Sequence, residues 1–430
     1  MPTSSRHLLP LLLASLLPLA ACVGDDPSPA PVAPQEDGGT TPTPTTPSDG
    51  GTQSDGATSC PTGFAECDGD LATVCETDTR TSAAHCGSCG RACGGTATCQ
   101  AGQCSAERVH DGLDRPYGLA VAGPRLVWYE GTDAIRGCRT ADCKTSTAIL
   151  ADIPTPSLTP DRTAPRQIAV DGAKFYVSAC PAAANVDCRT ASCDVTGCKF
   201  AGPTYLSPAD GRRRSPLVVG GPGAIYTFNG LDGTYRTAID GGGATQINFL
   251  YKTGDSVQSM HVDATRFVYL DENASLVNPT GGVFLCPIAG CPGAPTLLIP
   301  PPVKHLAFAS DTVFASGGVV AGTASILSCA VSGCGGAGTV LATNQAYVSD
   351  IAADAKAVYW TTTGTPNVLQ NSAAVGTVMR CDLPACAGGP VKVADAVTNP
   401  INVRIDDEYV YWLTLGTPAS QNGEIWRRRR

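Results

Sequence analysis

Ile351-Ala352-Ala353-Asp354-Ala355-Lys356-Ala357-Val358-Tyr359-Trp360-Thr361-Thr362 shows the unit from which most of the chain is built. An apolar strand turns on small and acidic residues and enters a second strand rich in aromatics. The unit recurs. Val121, Val170, Val219, Val262, Phe308, Ala353 and Ile405 hold equivalent places, at spacings of 49, 49, 43, 46, 45 and 52 residues. Behind them come Leu126-Val127-Trp128-Tyr129, Phe175-Tyr176-Val177, Ile225-Tyr226-Thr227-Phe228, Phe267-Val268-Tyr269-Leu270, Val313-Phe314-Ala315, Val358-Tyr359-Trp360 and Val410-Tyr411-Trp412. β-branched and aromatic runs of strand length, separated by Gly/Asp turns and free of helical periodicity, indicate an all-β protein.

A period in the forties leaves room for four strands per unit, which is what a β-propeller blade requires. The ends of the domain fit together. After Ile405 only 25 residues remain, enough for three strands but not four. Sixteen residues separate Cys104 from Val121, and Glu107-Arg108-Val109-His110-Asp111-Gly112 among them reads like the fourth strands Thr147-Ala148-Ile149-Leu150 and Val391-Lys392-Val393-Ala394. The expectation for residues 105–430 is therefore a seven-bladed β-propeller, with six or eight blades as alternatives. Its N-terminal strand completes the last blade and leaves only short, protected edges. Tyr359-Trp360-Thr361-Thr362, Gly376-Thr377-Val378-Met379-Arg380 and, in the third unit, Tyr235-Arg236-Thr237-Ala238-Ile239-Asp240-Gly241 resemble the YWTD and related propellers. The acid that follows Tyr-Trp-Thr in that family is replaced here by Thr362 and Thr414, and only Asp271 holds a comparable place. The resemblance implies architecture rather than partner.

The chain has 21 cysteines, and they sort into groups. Arg6 precedes an apolar run from Leu8 to Ala21, the make-up of a secretory signal over residues 1–21. Leu19-Ala20-Ala21-Cys22 resembles the bacterial lipobox, which implies lipidation of Cys22 and attachment to a membrane through lipid alone. The rival reading is ordinary signal cleavage with Cys22 as a free thiol. Setting Cys22 aside leaves an even number, compatible with complete pairing in an oxidising compartment. The rest of the segment 22–59 is Pro, Thr, Asp, Gly and Ser, too poor in apolar residues to fold, so it is expected to be a disordered tether. Its typical reach is roughly 30–35 Å.

Residues 60–104 hold Cys60, Cys67, Cys75, Cys86, Cys89, Cys93, Cys99 and Cys104. So short a segment has too little core to fold unaided, and four disulfides of open connectivity would supply the constraint. His85-Cys86-Gly87-Ser88-Cys89-Gly90-Arg91-Ala92-Cys93, with Cys99 and Cys104, resembles the cysteine-rich modules of plant stigma-specific proteins, which also recur in predicted exported proteins of myxobacteria. Cys86-x-x-Cys89 has zinc-ligand spacing. Export and the six remaining cysteines argue for disulfides instead.

In five units the Asp-Gly turn gives way to C-x4-C: Cys138/Cys143, Cys193/Cys198, Cys286/Cys291, Cys329/Cys334 and Cys381/Cys386. The third unit keeps Asp240-Gly241-Gly242-Gly243. Each pair is expected to clamp the turn between third and fourth strands and to protect the blade rim. Cys180 and Cys188 are expected to tie an expanded loop in the second unit.

Catalytic motifs are missing: there is no G-x-S-x-G, H-E-x-x-H, P-loop or EF-hand loop. Gly333-Cys334-Gly335-Gly336-Ala337-Gly338 matches G-x-G-x-x-G but precedes a strand rather than a helix. His261, His305 and Arg404 lie in first strands, nearest a central channel, and Asp171, Asp263, Asp354 and Asp406 sit at strand ends. A propeller hydrolase or lactonase would gather a channel metal there; turn-forming Asp and satisfied inner-strand groups are the plainer reading. Arg212-Arg213-Arg214 and Arg427–Arg430 are local cationic runs in a chain of net charge −9, which argues against nucleic acid. The terminal run reads as a strand end and tail. No catalytic residue, metal or cofactor is expected. The expected function is a lipid-anchored binding or scaffolding protein of a Gram-negative outer membrane or cell surface, meeting a protein or polysaccharide of the envelope. A structural envelope component is a further alternative.

Overall fold

A computed structural model describes residues 60–70, 72–131, 134–152, 168–179, 189–198, 204–206, 218–221, 223–229, 233–239, 244–247, 257–271, 274–275, 278–279, 281–291, 294–320, 322–364, 374–417 and 422–430. The signal segment 1–21, Cys22 and the segment 22–59, Cys180, Cys188 and Arg212–Arg214 lie outside them. No described helix is long and apolar enough to cross a membrane.

Seven sheets of four antiparallel strands make up residues 107–430, and the chain folds as an all-β propeller. Blade 1 holds Tyr117–Ala122, Arg125–Glu130, Ala134–Arg139 and Ala148–Asp152. Blade 2 holds Ala169–Asp171, Lys174–Ala179, Arg189–Asp194 and Thr204–Tyr205; blade 3 holds Val218–Gly221, Ala224–Asn229, Gly233–Ala238 and Ala244–Ile247. Blade 4 runs through Val257–Val262, Arg266–Asp271, Gly282–Pro287 and Thr296–Ile299. Blade 5 follows with Val303–Ala309, Thr312–Val320, Thr323–Ala330 and Thr339–Ala346, and blade 6 with Val348–Ala353, Ala357–Thr362, Val375–Asp382 and Val391–Thr398. Blade 7 takes Pro400–Ile405, Tyr409–Thr414 and Gly423–Arg429 from the C-terminal end, and Glu107–Leu113 as its fourth strand. In that last pairing Glu107 faces Arg427, and Leu113 faces Gly423. Each blade's first strand touches the first strand of the next, and blade 7 touches blade 1.

Second strands carry the core because both their faces meet a neighbouring blade. Trp128, Tyr176, Tyr226, Tyr359, Trp360, Tyr411 and Trp412 are all buried. Apolar layers lie between successive blades. Val127, Tyr129 and Leu150 of blade 1 meet Phe175 and Cys193 of blade 2, and Tyr411 and Ile425 of blade 7 close onto Leu126 and Trp128 of blade 1. Each such side chain stabilises the ring by about 1.5–3 kcal/mol on burial.

Two repeated details refine this picture. The fourth strands of blades 1, 4, 5 and 6 break register, so that Leu150, Leu298, Leu341 and Val393 are bulged residues, and Val109 occupies that place in blade 7. A bulge twists the strand and turns an apolar side chain toward the next blade. The C-x4-C disulfides sit against this feature. Cys138–Cys143, Cys193–Cys198, Cys286–Cys291, Cys329–Cys334 and Cys381–Cys386 are bonded, with Cα separations of 4.7–5.5 Å. They tie the third strand to the turn that leads into the fourth, yet most of their sulfurs are buried between blades rather than shielding a rim. Cys198 N donates to Leu150 O at 2.8 Å, and Cys334 Sγ lies 3.2 Å from Leu298 O. These disulfides are wedges between blades as well as turn clamps, which corrects the rim expectation. The low predicted gain from closing so small a loop is consistent with packing as their main contribution.

In the module the pairs are Cys60–Cys75, Cys67–Cys89, Cys86–Cys99 and Cys93–Cys104. Cys86, Cys93, Cys99 and Cys104 form its small core. Cys86 and Cys89 therefore bond to different partners, and neither is left as a zinc ligand.

Candidate functional site

The channel wall is built by first strands, and its polar side chains reach sideways to the next blade. His261 Nε2 donates to Leu306 O at 3.0 Å, and His305 hydrogen-bonds the backbone of Val348. Ser349 Oγ donates to Pro400 O at 2.9 Å, and Asn402 Oδ1 accepts from Gly118 N at 2.8 Å. Asp350 carries most of this network. Its Oδ2 accepts from Val403 N at 3.0 Å and from Arg404 Nη1 at 2.6 Å, and Asn402 Nδ2 lies 3.4 Å away. Burial pushes both imidazoles below their ordinary pKa of 6.5; the charge of Arg404 adds to this at His261, while Asp350 opposes it at both. His261, His305 and Arg404 bond across to the neighbouring blade and stitch one blade to the next. Asp350 and Asn402 were not singled out in the sequence, since nothing local marks a carboxylate or amide that bonds across a blade boundary.

The strand-end aspartates are turn formers. Asp263 Oδ1 accepts from the amides of Thr265 and Arg266, Asp354 Oδ1 from Lys356 and Ala357, and Asp406 Oδ1 from Glu408 and Tyr409, all at 2.7–2.9 Å. Among the described residues, three groups bring three metal-type ligand atoms within 4.8 Å of one another, and all lie in the cysteine module. Two of them, Cys67/His85/Cys89 and Cys86/Cys93/Cys104, consist largely of disulfide sulfurs. The third is Glu66/Asp68/Glu76, where burial raises Glu66 and the Thr77 hydroxyl brings Glu76 down to about 2.

The two faces of the ring differ. In an up-and-down blade the first turn and the third share one end; the second connection and the link to the next blade share the other. The first end carries the aspartate turns and the C-x4-C clamps. The strands that meet at the second end are separated by the longest stretches of sequence between described strands, 153–168, 206–217 and 363–374. Loops of this kind on a rigid scaffold are where binding residues concentrate.

The cysteine module occupies the first face, held by the terminal arginines. Arg427 pairs with Glu107 at 2.5 Å, both side chains about a tenth exposed, and donates to Thr140 O at 2.6 Å. Arg428 reaches Gln103 Oε1 at 2.5 Å, and Arg429 donates to Ala92 O at 2.5 Å. Arg430 pairs with Asp354 and donates to Asp406 O at 2.6 Å, while its own carbonyl accepts from Arg91 Nη2 at 2.7 Å. The run expected as a strand end and tail is strand as far as Arg429; the guanidiniums of Arg428 and Arg429 and the carbonyl of Arg430 hold the module, while those of Arg427 and Arg430 bond within the ring. The G-x-G-x-x-G match is a turn in which Gly333, Gly335 and Gly336 all have positive φ.

No family model matches this chain, and no curated protein matches it either. Solved structures do. The Pan2 WD40 domain of Neurospora crassa is similar over 76% of this chain and 94% of its own, at 8% identity and a TM-score of 0.51. YCF48 from Cyanidioschyzon merolae matches over 75% and 98%, at 12% identity and a TM-score of 0.48. A gluconolactonase from Xanthomonas campestris matches over 78% and 90%, at 14% identity and a TM-score of 0.42. Identities this low speak to the propeller fold alone.

Proposed function

We propose that the chain is an exported, lipid-anchored surface protein whose propeller is a non-enzymatic binding or scaffolding module, with its ligand taken at the face of the long connections. One observation carries this reading: among the described residues, the channel's polar groups are engaged in blade-to-blade hydrogen bonds, and the module is docked against blade 7 at the turn end, so the opposite end is the one free of it. The disulfides support an oxidising, extracellular-type compartment for the folded part. The lipobox-like Leu19-Ala20-Ala21-Cys22 supports an anchor in the outer membrane or cell surface of a Gram-negative bacterium, with a protein or polysaccharide of the envelope as partner.

Crosslinking in intact envelopes, followed by capture of the full chain, tests the reading. A specific envelope component captured by the anchored chain is the expected result. Stoichiometric Zn²⁺ or Ca²⁺ in the purified protein, lost on replacing His261 and His305, would turn the reading toward a channel hydrolase instead. Palmitate labelling checks the anchor separately: a Cys22→Ala chain that still takes up label rules it out.

A further inference from the structure

A cavity of about 480 Å³ opens where the N-terminal strand of blade 7 meets blade 1. Its wall is made by His110, Gly112 and Asp114 from the closing strand and the link that follows, and by Glu130, Gly131 and Arg136 from blade 1. Both connections belong to the face of the long loops. Gly131 N donates to Asp114 O at 2.8 Å, so the two blades are joined at the cavity's edge.

The wall is polar. Glu130 Oε2 accepts from Trp128 Nε1 at 3.1 Å, which fixes the carboxylate. Arg136 Nε lies 3.1 Å from the same oxygen but out of hydrogen-bond alignment, and this buried donor has no partner. Asp114 is held by Arg115 at 2.8 Å, with both side chains about a third exposed. His110 Nδ1 donates to Asp111 O at 2.8 Å, which leaves Nε2 as an acceptor. Gly112 has a φ of 72°, and a Cβ built there meets no atom within 4 Å, so the wall is open at that point.

The wall holds two carboxylates and one guanidinium, and Arg115 beside it pairs with Asp114, so little net charge is left to attract an ion. What they offer is acceptors and donors side by side, the match for vicinal hydroxyl groups, each of which donates to a carboxylate and accepts from a guanidinium. The volume falls in the roughly 300–1,000 Å³ range of small-molecule sites. We propose that this seam cavity binds a neutral saccharide unit, with Glu130 and Asp114 accepting from its hydroxyls and Arg136 donating to them. The inference rests on the binding reading above and names its ligand class.

The test uses the full chain, with saturation-transfer NMR and calorimetry against methyl glycosides of glucose, galactose, mannose and N-acetylglucosamine, and sodium sulfate as an ionic control. The expected result is millimolar binding of at least one neutral glycoside, unaffected by sulfate and weakened about tenfold or more in Glu130→Gln and Asp114→Asn. Asp114→Asn decides if Glu130→Gln fails to fold, since Asp114 lies at the surface. No bound glycoside, displacement by sulfate, or unchanged affinity in Asp114→Asn each overturns the proposal. Envelope capture that persists in Asp114→Asn would remove this ligand while leaving the binding module standing.

Discussion

The guanidinium of Arg428 donates to the carbonyl oxygen of Val393 across the boundary between blades 7 and 6. Arg428 stands opposite Val410 in the second strand, just as Cys381 stands opposite Val358, Cys329 opposite Val313 and Cys138 opposite Leu126. Val393 is the bulged residue of its fourth strand, as Leu298 and Leu150 are of theirs. The seven blades therefore share one slot facing the preceding blade. A disulfide fills it five times, Thr237 once and Arg428 once.

Replacing Arg428 with Met keeps the stem and removes the donor. Burial already depresses its pKa, and Val393 O would lose its only charged partner among the described residues. Hydrogen bonds to charged groups contribute about 1.5–3 kcal/mol. The expected loss is in that range, read from the urea midpoint at constant slope. A midpoint equal to wild type would show that the slot needs only apolar bulk.

Thr237 predicts the opposite sign. Its residue is fully buried opposite Ile225, and its hydroxyl has no hydrogen-bond partner among the described residues. Thr237→Val keeps the shape and removes the unsatisfied group, so the chain should gain about 1 kcal/mol. Thermal melting of the two proteins side by side checks this, and a lower melting point for the variant would reveal an acceptor that the hydroxyl uses.

The pair Glu107–Arg427 couples ring closure to module docking, because Glu107 Oε2 also accepts from Thr96 N at 3.1 Å. Glu107→Ala strands a guanidinium in a site with little water, and losses of about 3–5 kcal/mol are usual in such cases. Replacing both partners, Glu107→Leu with Arg427→Met, should recover most of it. Denaturant unfolding of the two variants separates the outcomes: equal losses would show that the module contact, rather than the stranded charge, dominates.

The sequence was informative wherever a feature is local. Strand pairs around Val358-Tyr359-Trp360, the C-x4-C clamps and the closing strand at Glu107 could all be read from pattern and length. Other features depend on residues far apart in the chain, and no local signal marks them. The bulge at Val393 shows only in the pairing of two strands. Asp350 gains its role from Arg404 in the next blade, and the terminal arginines from a module more than three hundred positions away, as in Arg91 to Arg430. Arg427–Arg430 reads as a strand end, but the partners of its guanidiniums lie far away in the chain and leave no local mark. The seam cavity joins Asp114 to Glu130 through the pairing of the first two strands of blade 1, which sets the link before the blade beside the turn within it.

His261 and His305 give the chain a pH dependence of definite sign. Unfolded, both would protonate near the ordinary 6.5; in the ring, burial holds each imidazole neutral to lower pH. The charged groups facing them are Arg404 and Lys304, which favour the neutral ring, and Asp350, which opposes them. Between the folded and unfolded values the unfolded chain binds more protons, so stability rises with pH across that window. The contribution is complete above about 6.5 and is lost as pH falls, with a limiting slope of roughly 1.4 kcal/mol per pH unit for each histidine. Asp263 and Asp354 are held below 3.8, so their contribution is lost at lower pH and leaves this window to the histidines. His261→Gln with His305→Gln keeps amide donors toward Leu306 and Val348 but cannot titrate. Guanidinium unfolding between about pH 5 and pH 7 should show a flatter dependence in the double variant. A slope equal to that of the native chain would mean that both imidazoles protonate in the folded ring as readily as in water.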